Sequence, residues 1–155
     1  MMKLNLGCGL DKKHGYINID IKKTVKPDVI CDARSMPFED NTFFRVLCYN
    51  ILEHVHDLPS VMKEIHRICM DGSIIIVDAP YYRSHGAFND PTHVRYFTEN
   101  TFDFWDIKTE TGKKYAHQVN AEKMPFRVLR VKKSRSLRKI WEIYGIKFKL
   151  QVIKK

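Results

Sequence analysis

The run Lys3-Leu4-Asn5-Leu6 leads into Gly7-Cys8-Gly9, and a second apolar run, Tyr16–Ile19, reaches Asp20 only 13 residues after Gly7. A glycine turn ending one strand, beside a carboxylate ending the next, suits a nucleotide-like ligand, because glycine lets a ligand approach the backbone closely. The spacing decides which kind. A dinucleotide fingerprint, G-x-G-x-x-G, needs its third glycine inside a helix and its acid ~20 residues further on. Here the third position is Lys12, and the return to Asp20 is too short for a full crossover helix. A P-loop is excluded because the chain has no G-x-x-x-x-G-K-[ST].

Further short apolar runs follow at Asp28–Cys31, Val46–Tyr49 and Ser73–Asp78, separated by Lys26-Pro27 and by Pro37 to Asn41. Strands that are apolar on both faces read as a covered parallel sheet. Before the last of them, Leu58, Val61, Ile65, Ile68 and Cys69 recur at helical spacing, with Asp57 as N-cap, Pro59 in the first turn and Asp71-Gly72 as the stop. A second helix is expected from Thr98, carrying Phe102 and Trp105. Toward the end, "FRVLRVKK" and "IKFKLQVIKK" alternate apolar with basic residues, as antiparallel strands with one wet face do. Between them "SLRKIWEIYG" reads as a short helix capped by Ser136 and stopped by Gly145. The fold class is α/β: a Rossmann-like doubly wound sheet, mostly parallel, with an antiparallel C-terminal edge pair and a reduced first crossover.

A chain of 155 residues with 44% apolar content and no repeat or linker reads as a single domain, 1–155. No apolar run reaches the ~18 residues of a membrane span. The N-terminus enters a strand at once, with no signal or transit segment, so the cytoplasm is the expected location. The widely spaced Cys8, Cys31, Cys48 and Cys69 read as small apolar residues rather than as a disulfide or zinc set. Charge is uneven: residues 1–107 hold 12 Lys/Arg and 15 Asp/Glu, whereas 108–155 hold 15 and 3. The last third therefore suits an anionic partner or a solvated basic face.

In open α/β sheets, ligands sit at the carboxyl ends of the strands where the topology switches. Gly7 and Gly9, Asp20, Asp32 and Asn50 lie at four such ends. A carboxylate one strand from the glycine turn suits the vicinal hydroxyls of a ribose, and an acid one strand further suits an adenine amino group.

The ordered motifs "LNLGCG", "INIDI", "CDARSMPFEDNTF", "NILEHV" and "DGSIIIVDAP" resemble the class I S-adenosylmethionine-dependent methyltransferases, in particular the small type 11 group. The likeness covers about residues 3–80 and is nearest to members in which a "GYINID" loop replaces the first crossover helix. It implies a seven-stranded sheet with its last strand antiparallel, and S-adenosylmethionine as cofactor. Gly7, Cys8 and Gly9 would pass under the methionine and ribose, Asp20 would hold the ribose hydroxyls, and Ile21 would flank the adenine. Asp32, with the Ala33 backbone, would meet the adenine amino group, and Asn50 would lie near the transferring methyl. The reduced crossover leaves one sheet side thinly covered, for a partner chain or the C-terminal helix to fill. Monomer and homodimer both remain open.

Methyl transfer from a sulfonium needs in-line alignment, exclusion of water and, for a hydroxyl acceptor, removal of a proton. His54, Asp90 and His93 are the candidate catalytic residues, with His85 a further base candidate and Tyr81 and Tyr82 as pocket walls. The segment "YYRSHGAFNDPTHVRYF" is too long for an idle connector. Some relatives bind a divalent metal through E-x-x-E-H. Here Asn50 stands at the first position, so no metal ligand is assigned, although Glu53 and His54 with His85 or His93 would combine oxygen and nitrogen donors. The expected reaction is methyl transfer to an oxygen of a small molecule or saccharide. The alternative is an RNA-directed methyltransferase or RNA-binding protein using residues 108–155, with few aromatics there to stack bases.

Overall fold

The computed structural model describes residues 1–135 and 143–154. Among them, β1 (Met2–Leu6), β2 (Ile17–Asp20), β3 (Val29–Ile30), β4 (Phe43–Tyr49), β5 (Cys69–Pro80), β6 (Phe126–Arg135) and β7 (Ile143–Val152) form one sheet. Its order is β3-β2-β1-β4-β5-β7-β6. The first five strands run parallel, and β7 is antiparallel to both β5 and β6. This is the doubly wound α/β sheet with an antiparallel edge pair that the sequence implies. The chain leaves β1 toward β2 on one side and returns as β4 on the other, so the topology switches at β1, where a ligand crevice is expected.

Register aligns Ile19, Leu6, Cys48, Val77 and Phe148 across five adjacent strands, and Leu4, Val46, Ile75 and Leu150 one pleat away. All of these are buried. They share one core with Val61, Met62, Ile65 and Ile68 of α1 (Leu58–Ile68), and with Phe97, Phe102, Trp105 and Ala116. Helix α1 starts as expected: Asp57 Oδ1 accepts from Ser60 N at 3.1 Å, and a proline sits in the first turn. Its far end holds the β3–β4 connection, because Glu64 Oε1 accepts from Met36 N at 2.7 Å and Arg67 bridges Glu64 and Asp40.

The opposite sheet face carries Lys3, Asn5, Arg45, Leu47, Ile74, Ile76 and Lys149. Over its β1–β2 end lies the short loop that replaces a crossover helix. Buried Asn5 donates to Asp11 O and to Asn18 Oδ1, each at 3.0 Å, while Lys13 N also donates to Asn18 Oδ1 at 2.7 Å. Asn18 in turn donates from N and Nδ2 to Asp28 Oδ2 at 2.7 and 2.9 Å. Two asparagines facing each other across parallel strands thus do with hydrogen bonds what a helix does with apolar contacts. Beyond that loop Arg45 and Lys149 are exposed and Ile74 and Ile76 half-buried, which agrees with the expected thin cover.

Three expectations need correction. Helix α1 stops at Ile68 rather than at Asp71-Gly72, and Cys69 already opens β5; Gly72, at φ +74°, makes an irregularity inside the strand. The helix expected from Thr98 is a single turn, with Thr98 N donating to Thr101 Oγ1 at 2.9 Å, followed by a 3-10 turn Asp103–Trp105. Phe102 and Trp105 are buried as their apolar character demands, without a helix to carry them. The regular helices of this region are α2 (His85–Asn89) and α3 (Glu110–Tyr115). Most of the helix expected at Ser136–Gly145 lies outside the described residues, and Gly145 sits in β7, paired with Pro80, rather than ending a helix.

Candidate functional site

The end of β1 turns through Gly7 and Gly9 with φ of +63° and +49°. At Gly7 the constraint is double, because a Cβ there would stand 2.6 Å from Ile51 Cδ1. Gly9 is open, with no heavy atom within 4 Å of a Cβ position, so its surface is free for a ligand. Gly9 N donates to Asp20 Oδ2 at 2.9 Å and Lys22 N to Asp20 Oδ1 at 2.8 Å. Each carboxylate oxygen accepts one backbone bond and keeps a second lone pair, as a vicinal diol requires. Ile21, 64% exposed, offers an apolar surface beside this carboxylate, whereas Cys8 is buried and packs inward.

One strand further, Asp32 is bound by Arg34 Nη2 at 2.7 Å and by Arg34 N at 2.8 Å. The Arg34 side-chain bonds, and then its backbone bond, hold Asp32 below the usual carboxylate range. Ala33 packs partly buried against the core beside it. On the other side of β1, Asn50 takes φ +49° at the end of β4, and its N donates to Asp78 O at 2.9 Å. Gly7 and Gly9 follow β1, Asp20 ends β2 and Asn50 follows β4, so these residues stand at the carboxyl ends of three adjacent strands at the switch point. The cradle at Gly9 and the diol-ready carboxylate fit a ribose-bearing cofactor.

Next to Asn50 opens a pocket of about 570 Å³, lined among others by Glu53, His54, Asn89, Asp90 and His93. It is built by the 3-10 turn Leu52–His54 and by the stretch from α2 to Val94. The backbone joins the two, since Val94 N and Arg95 N donate to Glu53 O at 2.9 and 3.2 Å. Arg95 Nε reaches on to Val55 O at 2.6 Å.

The three candidate catalytic residues meet here. The His54 and His93 rings pack edge to face, 4.8 Å apart, and His93 Nε2 lies 3.8 Å from Asp90 Oδ2. His93 Nδ1 faces Ala87 O at 3.1 Å; a carbonyl only accepts, so Nδ1 carries the proton and Nε2 has a free lone pair. Thr92 Oγ1 donates to Asp90 Oδ1 at 2.6 Å and so accepts from His54 Nδ1 at 2.9 Å, again freeing Nε2. The same Thr92 bonds hold Asp90 below the usual carboxylate range. Of the other base and wall candidates, His85 does not line the pocket, and Tyr81 is buried with its hydroxyl on Glu99 at 3.1 Å.

Sequence reasoning gave Glu53 no catalytic part. It is 1% exposed, both carboxylate oxygens lack a hydrogen-bond partner among the described residues, and burial pushes its pKa up to about 7. Its position beside His54 was visible in the sequence, but its lack of partners appears only once the chain folds around it. Asn89 was also missed, since nothing local marks an asparagine at the end of a five-residue helix.

Comparison with known proteins agrees with this geometry. A family model described as a methyltransferase domain, type 11, matches residues 4–77. An uncharacterized protein of Methanocaldococcus jannaschii is 36% identical over 48% of this chain and 39% of its own. A ubiquinone/menaquinone biosynthesis C-methyltransferase of Desulfotalea psychrophila is 42% identical over 28% of this chain and 18% of its own. The chain thus spans well under half the length of these curated relatives. Among solved structures, a S-adenosylmethionine-dependent methyltransferase of Methanosarcina mazei superposes with a TM-score of 0.69 at 16% identity, over 99% of this chain and 93% of that one. That likeness concerns the fold.

Proposed function

We propose that the chain is a class I S-adenosylmethionine-dependent methyltransferase, like the family whose methyltransferase-domain model matches residues 4–77, and that it transfers a methyl group to an oxygen of a small molecule or saccharide held in the pocket beside Asn50. The observation that carries this reading is the place of Asn50. It follows β4 next to Ile51, whose side chain abuts Gly7 of the glycine turn, and it is itself a wall of the pocket.

S-adenosylmethionine, when bound, supplies an already activated methyl on a sulfonium. The chain's residues then have to bind, align and exclude water. Asp20 holds the ribose diol through its free lone pairs, Gly9 admits the cofactor to the backbone, and Ile21 covers the adenine. Asp32 and the Ala33 backbone meet the adenine amino group, with Arg34 keeping the Asp32 carboxylate charged. Asn50, which lines the pocket, would hold the methionine end of the cofactor together with Gly7 and Cys8. There His54, Asp90 and His93 surround the acceptor hydroxyl and one of them receives its proton, while Asn89 accepts from or donates to a neighbouring hydroxyl. Carboxylate, amide and imidazole groups stand among the lining residues beside Pro80 and Pro91, and they offer hydrogen bonds to a hydroxylated acceptor.

The RNA-directed alternative draws support from Arg130, Lys132, Lys133 and Arg135, which are exposed along the edge strand β6. An acceptor screen with methyl-labelled S-adenosylmethionine tests the main reading: label in a hydroxylated small molecule or glycan is expected. Label in RNA alone, with RNA affinity falling steeply with salt, would replace it by the alternative.

A further inference from the structure

A carboxylate as buried as Glu53, with neither oxygen hydrogen-bonded among the described residues, needs a cation, a donor or a proton that those residues do not supply. Its neighbours indicate which. The His54 and His93 rings are each held through Nδ1, on Thr92 and on Ala87 O, which turns each Nε2 away from that bond; His93 Nε2 stands 3.8 Å from Asp90 Oδ2, beyond hydrogen-bond distance. Outer anchoring of one imidazole nitrogen with the other free is the arrangement that orients metal-ligating histidines. One donor atom from each of Glu53, His54 and His93 lies within 4.8 Å of the other two.

We propose that Glu53, His54 and His93 bind a divalent transition-metal ion at the floor of the pocket. Donors around an ion with bonds of ~2.1 Å stand about 3 to 3.5 Å apart, so side-chain rotation has to draw this set inward by an ångström or so. The backbone is already tied in place, because Val94 N, next to His93, donates to Glu53 O at 2.9 Å. Two imidazoles and one carboxylate favour zinc-like ions over magnesium or calcium, which prefer all-oxygen sets. Three protein ligands leave coordination positions open, and all three residues line the pocket, so the open positions are available to an acceptor oxygen. Asp90 stays outside the ligand set and is the carboxylate left to take the proton when that oxygen is a hydroxyl. This use of the ion rests on the methyl-transfer reading; the binding of the ion does not.

The test uses the full chain, freed of metal with a chelator and titrated with cobalt(II). The expected result is one ion per chain, with a ligand-field spectrum of mixed nitrogen and oxygen donors, two paramagnetically shifted imidazole N–H signals, and displacement by zinc. His54→Ala and His93→Ala should each weaken binding at least ~10-fold with unchanged far-ultraviolet dichroism, Glu53→Gln should do likewise, and His85→Ala should leave it unaltered. If Glu53→Gln does not fold, the two histidine variants decide. Absence of stoichiometric cobalt binding, or binding indifferent to both histidine variants, would overturn the proposal. Calorimetry with S-adenosylhomocysteine on the same metal-free samples separates the two readings. Cofactor binding without metal binding removes only the ion, and metal binding without cofactor binding removes only the methyltransferase.

Discussion

The amide of Gly9 donates to the Asp20 carboxylate across 2.9 Å, so the turn ending β1 and the end of β2 form one unit. Asp20→Ala removes the bond that shapes the turn together with the diol acceptor. Charge-assisted hydrogen bonds are worth roughly 1.5–3 kcal/mol each, so S-adenosylhomocysteine should bind about 10- to 100-fold more weakly by calorimetry. Asp20→Asn, which keeps one acceptor oxygen, should fall between. Undiminished affinity in Asp20→Ala would remove Asp20 from the cofactor site.

Gly7→Ala meets both a left-handed backbone and the Ile51 side chain. Strain of this kind costs about 1–3 kcal/mol, visible as a lower urea midpoint. Adding Ile51→Ala should return part of that loss, because it frees the space and leaves the dihedral angle. A double-mutant cycle with no coupling between the two sites would show that the contact is relieved some other way.

Asn5→Ala deletes a donor shared by Asp11 O and Asn18 Oδ1 in a buried setting. A loss of about 1–3 kcal/mol is expected, accompanied by faster amide exchange in residues 10–16. Stability lost with no change in exchange there would mean that the loop does not depend on this network.

His66 donates from Nε2 to Ile153 O at 3.0 Å, and its ring packs against Phe126. Burial holds its pKa below the usual imidazole value, with Lys154 adding to the effect and Ile153 O and Asp71 opposing it. A depressed histidine pKa means that the unfolded chain binds protons first. Stability is therefore full above pH ~6.5 and falls as the pH drops through that value toward the folded pKa. Melting temperatures from pH 7.5 to 5 should show this limb, and His66→Gln should flatten it. An equally steep fall in the variant would assign the limb to another group.

Much of this architecture could be read before folding. Asp57 and a proline mark the start of α1 through local chemistry, and the alternation in 126–135 and 143–152 marks strands with one wet face. The shortness of the return from Gly7 to Asp20 already separated this cleft from a dinucleotide site. What escaped were non-local effects. Thr98 has the side chain of a helix cap, yet Phe102 and Trp105 reach the core from turns because Phe97 and Phe148 are already there. Gly145 has the chemistry of a stop, yet it lies within a strand pair because Pro80 and Ser134 flank it. His54, Asp90 and His93 were each visible as candidates, but not that Thr92 would bridge two of them.

The exposed Arg45 and Lys149 and the half-buried Ile74 and Ile76 leave part of one sheet face in water. Heat capacity and denaturant response scale with the surface that unfolding newly exposes. A sheet already wet on one side has less to expose. Its stability curve should therefore be shallower in temperature, and its unfolding less steep in urea, than for a domain of equal length clad in helices on both faces.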